Sequence, residues 1–439
     1  MSKLRLLRVW MRGLALVFIV SVWLCVPGRC GAAEESIAPG TIVTAQNWPQ
    51  YKQFMPDGMQ ALFSGSYFWK FPADVRIEVG PTSHYPLPQV YVQNTEKYSH
   101  LVTIKELPTG GYTVDGYVAG QPFPNPSDPL RGYKILVNFW YRYVPHLDCA
   151  ADDHEYLVNG ANQVSTVRYE DVHRRLSHIS DIDQPIDDPR AEGIDHTSFS
   201  MTLEPEQERY TVALVVYYAD PAKPEGTYFF IPQLRRVLRG SSNSRCAPVS
   251  GSDFALDDFS VYSGGIARFQ SDLAREQRIL ALVNSNPAVY GKPANYYFPL
   301  FFPKPDIGKW EVRDTYVLDI RRIPSDRSGY CYGKQMLYVD KEAYTASWKD
   351  GYDEGLKLFK IEMSERIAGL IPSQGIQFDR GNAIEVMWDL NKHHLSAFIT
   401  ATPDGKSVLA NEACRNVDGV NYDDIERFCT PGGLTQVMR

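Results

Sequence analysis

From residue 163 onward the chain is written mostly in short β-rich segments, each closed by turn residues, and this restricts it to a large antiparallel sheet. The segments 163–176, 198–203, 210–218, 310–321, 335–340, 356–367, 383–390 and 394–402 are rich in β-branched and aromatic residues and often alternate apolar with polar. Two helical patterns come before most of them. Residues 45–54 are entered from Thr44 and closed by Pro56, and Asp128-Pro129 gives an N-cap and first-turn signal for a helix through Lys134, Ile135, Val137, Phe139 and Trp140. Helices first and then a long run of strands is an α+β order, a large curved antiparallel β-sheet wrapping helices, and not the alternation of a βαβ fold.

Residues 228–239 extend this pattern, but Pro232 cannot donate to a central ladder and assigns the segment to a sheet edge or a bulge. Gly251, Ser252 and Asp253 then supply turn chemistry, followed by Asp257 and Asp258. Arg235, Arg236 and Arg239 are expected to pair with Asp253, Asp257 or Asp258, giving a salt-bridged loop that locks one edge. Binding of a ligand head group is the alternative. Strand alternation would put Arg235 and Arg239 on one face and Arg236 on the other, so the three cannot all serve one head group.

This stretch, together with Tyr117-Val118-Ala119-Gly120-Gln121-Pro122-Phe123-Pro124-Asn125-Pro126, the run Asn138-Phe139-Trp140-Tyr141-Arg142-Tyr143 and residues 332–340, resembles a bacterial envelope family known as domain of unknown function 1329. That family is similar to the outer-membrane lipoprotein-sorting proteins LolA and LolB. The resemblance spans most of the mature chain. It implies an open half-barrel sheet with helices over one face and an apolar cavity beneath them, and it implies an inner-membrane exporter and an outer-membrane protein as partners. It carries over no catalytic residues.

The N-terminus has the form of a secretory signal: Lys3, Arg5, Arg8 and Arg12 precede an apolar stretch over 13–26, and Gly31-Ala32-Ala33 offers a small-residue cleavage site. Pro27-Gly28 interrupts the apolar run short of the roughly 20 residues that cross a bilayer. Arg29 before Cys30 and Leu24 before Cys25 exclude lipid attachment at either cysteine. The expectation is a signal peptide over 1–33 and a soluble periplasmic domain over 34–439 with N- and C-terminal decorations. Without the signal the chain has 40 basic and 52 acidic side chains, a formal charge of −12, which argues against nucleic acid as a partner.

Cys149, Cys246, Cys331, Cys414 and Cys429 then remain, so an oxidising compartment allows at most two bridges and one leftover thiol. Cys414 and Cys429 flank a short polar C-terminal segment and are the expected pair, since a bridge there would restrain the tail. The other three stay unassigned.

Residues 290–302 form an aromatic loop in which prolines and a glycine preclude a regular helix. Its Tyr296, Tyr297, Phe298, Phe301 and Phe302 either plug one end of the sheet as core or, with Trp140, wall a lipid-accepting cavity. His146, Cys149, Asp152, Asp153 and His154 place metal-ligand types close together, but without a second matching pair, and they read as a polar loop after a helix end. Asp181, Asp183, Asp187, Asp188 and Glu192 imitate a calcium loop, except that Pro185 and Ile186 stand where a ligand and a glycine are needed. Gly405-Lys406-Ser407 ends like a phosphate-binding loop, yet Thr400 holds the first glycine position and 402–405 is an ordinary turn. No G-x-S-x-G, H-E-x-x-H or G-x-G-x-x-G motif is present.

The reading is a non-catalytic carrier or chaperone for a lipid or other hydrophobic molecule, without cofactor or metal. Its rivals are an envelope docking module and a hydrolase whose residues converge only in three dimensions.

Overall fold

A computed structural model describes residues 36–241, 245–286, 288–289, 292–378, 384–399 and 409–437. The signal segment 1–33, the 402–405 turn and Gly405-Lys406-Ser407 lie outside them. The β-rich segments form a 14-stranded antiparallel sheet. In chain order its main strands are β1 Leu147–Val158, β2 Val164–Arg175, β3 Ile194–Glu204, β4 Val212–Tyr218, β5 Gly226–Ile231, β6 Arg236–Arg239, β7 Phe269–Ala281, β8 Glu311–Arg322, β9 Lys334–Asp340, β10 Ala346–Tyr352, β11 Leu358–Glu365, β12 Ile384–Asp389 and β13 His394–Ile399. Their order across the sheet is β6-β5-β4-β3-β2-β1-β13-β12-β11-β10-β9-β8-β7. The remaining short strand, Leu409–Ala410, also pairs with β1.

This order is two meanders joined where β13 pairs with β1. The two edges, β6 and β7, are consecutive in the chain, and the sheet is curved but not closed between them. The expected edge position of residues 228–239 is what the structure has: β5 and β6 form an edge hairpin turned at Pro232–Leu234.

Alternation gives the sheet two faces with different covers. On the far face, Trp348, Ile361, Met363, Val386, Trp388 and Leu395 are buried under the N-terminal segment and the aromatic loop. The helix α1, Asp57–Ser64, contributes Met59 and Leu62. It approaches closely because residue 58 is glycine: its backbone N–H donates to Asp350 at 3.0 Å, and a Cβ there would lie 2.3 Å from the same carboxylate. The C-terminal segment, with the short helix Ile425–Cys429, covers Phe199, Met201, Leu214 and Phe230 on the same face.

The other face carries the helix Arg131–Trp140, packed on Leu318, Ile320, Leu337 and Val339. It begins at Arg131, three residues after the Asp128 signal. The helix expected over 45–54 is instead two short 3-10 turns, Trp48–Gln50 and Lys52–Phe54, and Pro56 opens α1 where it was expected to close a helix. The helix Gln89–Tyr98 had no sequence forecast.

The expected Cys414–Cys429 bridge is not formed. Cys414 bonds Cys149 of β1, Cys246 bonds Cys331, and Cys429 is a buried free thiol. The tail is tied to the sheet and not to itself, because Cys149 faces the C-terminal segment.

Candidate ligand cavity

Four strands present a consistent set of side chains to one cavity. On β2 these are Tyr169, Asp171, His173 and Arg175; on β3 His196, Ser198, Ser200 and Thr202; on β4 Ala213, Val215 and Tyr217; on β5 Thr227 and Phe229. On β1 the parity changes, since Asp148 and Ala150 line the cavity and so do Asp153 and Glu155. A register shift between Ala150 and Asp153 inserts the extra residue that keeps all four on one face. The cavity is about 440 Å3. That is within the roughly 300–1,000 Å3 range of small-molecule sites.

The roof is the connection from β6 to β7, the segment picked out from sequence for its glycine and aspartates. Val249, Ser252, Leu256, Phe259 and Tyr262 face down into the cavity, and Trp140 closes one side, 5.6 Å from the ring of Tyr217. Gly251 makes the roof turn with φ of +80°, a conformation that favours glycine.

Buried carboxylates pin this roof to the sheet. Asp258 accepts from Lys349 Nζ at 2.8 Å and from the Tyr332 hydroxyl at 2.7 Å, and Lys349 also reaches Glu362 at 2.6 Å. Burial alone would raise the Asp258 pKa, but Lys349 and Lys360 hold it below the ordinary carboxylate range. Asp257 pairs with Arg245 and accepts from the Tyr330 hydroxyl at 2.8 Å. Asp253 accepts from Ser396 Oγ at 3.0 Å. The Cys246–Cys331 bond adds a covalent tie.

The partners expected for these aspartates are therefore replaced. Arg235, Arg236 and Arg239 are exposed on the edge hairpin, and Arg235 has φ of +50° at its turn, which breaks the assumed alternation. The cations that reach the aspartates come from the roof itself and from strands distant in sequence.

The aromatic loop is also elsewhere. Tyr296, Phe301 and Phe302 are buried in the far-face core, Tyr297 packs at its margin and Phe298 is 54% exposed; the cavity is lined by other residues. Of the aromatics named from sequence, Trp140 alone is at the cavity.

Two electrostatic zones divide the cavity. At one end Asp153, Glu155 and Asp171 stand together. Burial raises all three, repulsion from Asp171 adds to it at Asp153, and Glu155 is pushed up to about 8 against a 2.9 Å hydrogen bond from Tyr169. At the other end Asp195 lies 3.2 Å from Arg175 and 2.6 Å from His196 Nδ1, which keeps its pKa low despite burial. Burial lowers His173 and His196, leaving both imidazoles uncharged near neutral pH. Val215, Phe229, Leu256, Phe259 and Phe398 add an apolar wall, with Phe398 directly across from Glu155.

The sequence cluster at 146–154 disperses across this framework. His146 bonds Asp181, Cys149 is in a disulfide, and Asp153 and His154 point to opposite faces of β1. Among the described residues no group of three or more His, Cys, Asp or Glu side chains is arranged to hold a metal ion.

A family described as protein of unknown function (DUF1329) matches residues 42–423. The chain belongs to this family. The DUF1329 match takes in every strand of the cavity, the roof and its clamps. No curated protein matches the chain. Among solved structures, a DUF1329 family protein from Desulfovibrio piger aligns at 14% identity and a TM-score of 0.43, over 62% of this chain and 91% of that one. A LolA superfamily protein from Nitrosomonas europaea aligns at 15% identity and a TM-score of 0.34, over 59% and 85%.

Proposed function

We propose that this chain is a non-catalytic periplasmic carrier or chaperone that shields a lipid or lipid-like molecule during transit through the cell envelope. The observation that carries this reading is the roofed cavity, whose apolar wall is continuous with two polar ends. Each methylene moved from water onto such a wall contributes about 0.8 kcal/mol, so a short acyl or alkyl body binds usefully even after the cost of ordering it. The work is burial and release, with no bond made or broken. Among the described residues no helix is long and apolar enough to cross a membrane. The secretory character of residues 1–33 supports the compartment. Of the sheet edge and aromatic loop that a docking module would use, the loop contributes Tyr296, Phe301 and Phe302 to the core.

Native mass spectrometry of the protein isolated from its own envelope tests the reading. A resolved added mass, removed by organic solvent and identified as an amphiphile, is the expected result. A folded protein that leaves the envelope without added mass and takes up no lipid extract would overturn it.

A further inference from the structure

Building on the carrier reading, we propose that the cavity selects an amphiphile with a cationic amine head, seated against Asp153, Asp171 and Glu155 with its apolar body along Phe259, Phe398 and Val215.

The two ends of the cavity differ in the partners they hold. Asp153 is fully buried on the cavity wall, and its carboxyl faces the Asp171 carboxyl with no other donor among the described residues. Asp171, on the adjacent strand, is held by Ser200 and by that contact with Asp153, and its Oδ2 has no cation beside it. A buried polar atom left unpartnered costs about 1–3 kcal/mol, more when charged. The groups acting on this trio are other acids, Tyr169 and Ser200, and among the described residues no lysine, arginine or histidine is within ion-pair distance. The donors at the other end of the cavity are engaged: Arg175 and the uncharged His196 with Asp195, and Arg142 over the Phe139 ring at 4.6 Å while its Nη1 donates to the Phe139 carbonyl at 3.0 Å.

The cavity thus holds acids without a cation at one end and, at the other, engaged guanidinium groups beside the uncharged His173. An ammonium has three N–H donors and a positive charge, which suits two facing carboxyls that have no cation, beside a third. A hydroxyl head would form hydrogen bonds without the charge term. A carboxylate head would meet three acids that burial already disfavours as anions at this end, and at the other would compete with Asp195 and the Phe139 carbonyl.

Calorimetric titration of the mature protein with dodecylamine, dodecanol and dodecanoate at neutral pH separates the possibilities. The amine should bind about tenfold or more tighter than the alcohol, and dodecanoate weakest. The double variant Asp153→Asn, Asp171→Asn should reduce the amine's advantage below about threefold while alcohol affinity is kept. Glu155→Gln, which retains the Tyr169 contact, provides a second variant should the double one fold poorly. Equal affinity for amine and alcohol, tightest binding of dodecanoate, or an amine preference that survives both variants would overturn the assignment and leave the carrier reading standing. A folded protein that binds none of the three would overturn both.

Discussion

Replacing Lys349 by Met should destabilise the protein more at pH 8 than at pH 5. Lys349 is 1% exposed, with its ammonium 2.8 Å from Asp258 and 2.6 Å from Glu362. Removing one partner of a buried pair leaves the other uncompensated, at a cost of about 3–5 kcal/mol. Lys360 at 3.8 Å and the Tyr332 hydroxyl remain beside Asp258, which puts the expected loss toward the lower end.

The pH dependence follows from the directions of the shifts. Asp258 is held low in the fold, so its contribution is present above its unfolded pKa and lost as pH falls through the folded value. Lys349 is held high, because its two carboxylate partners outweigh burial, and its contribution is full below its unfolded pKa and lost as pH rises through the folded value. In the wild type the Asp258–Lys349 contribution is therefore nearly constant between about pH 5 and 9, while Glu362, raised by burial, weakens wild type and variant alike as the unfolded chain ionises. In the variant, burial without Lys349 pushes Asp258 upward, and the folded state is penalised increasingly as the unfolded chain ionises above about pH 4. Equilibrium urea unfolding of both proteins at the two pH values measures this, with an unchanged m-value licensing the comparison. A loss below about 1 kcal/mol at pH 8, or one of equal size at pH 5, would refute the view that the roof clamp is a desolvated pair.

Other outcomes follow from the same framework. Phe301→Asp puts a charge into the far-face core, where Phe301 is 1% exposed, and should cost several kcal/mol and prevent folding, whereas Phe298→Ala should change stability by less than about 1 kcal/mol; melting curves distinguish them. Peptide mapping without reduction should recover Cys149–Cys414 and Cys246–Cys331, and Cys429, whose thiol burial pushes up to about 11, should react with a thiol reagent only after unfolding. Replacing Arg235, Arg236 and Arg239 together by Ala should shift stability by no more than about 1 kcal/mol, since all three are exposed; a larger loss on urea unfolding would restore them as clamps.

Much of the sheet was legible because its strands obey a period of two. The eight segments read from sequence all fall on strands, and Pro232 marked the edge hairpin through its missing N–H. The strand β1 was hidden for a physical reason: its bulge reverses the alternation midway, and Asp152, Asp153 and His154 look like a polar loop when their neighbours are unknown. The strand β7, with Arg275, Glu276, Gln277 and Arg278 at a sheet edge, has a composition that suits a helix equally well.

The cavity was less legible than the sheet. Trp140 and the roof turn at Gly251 and Ser252 were singled out, but Asp171, His173, Phe229 and Phe398 come from three strands and meet only when the sheet forms. The aspartates of the roof were recognised as structural while their cations were misassigned. Proximity in sequence favoured Arg235, Arg236 and Arg239, and the fold supplied Lys349 and Arg245. The aromatic loop shows that ring content alone does not separate a cavity wall from a core, since both bury apolar area.

Filling the cavity is the most direct test of the central claim. Ala213 faces the cavity from β4 without packing into any of the far-face cores, so Ala213→Trp occupies ligand space while leaving those cores intact. Titration of the mature wild-type protein with a fluorescent dodecyl probe should saturate at one site per chain, and Ala213→Trp, with a melting temperature close to that of the wild type, should weaken that binding by about tenfold or more. Saturable probe binding that Ala213→Trp leaves unchanged, or a folded wild type that binds no probe, would contradict the account.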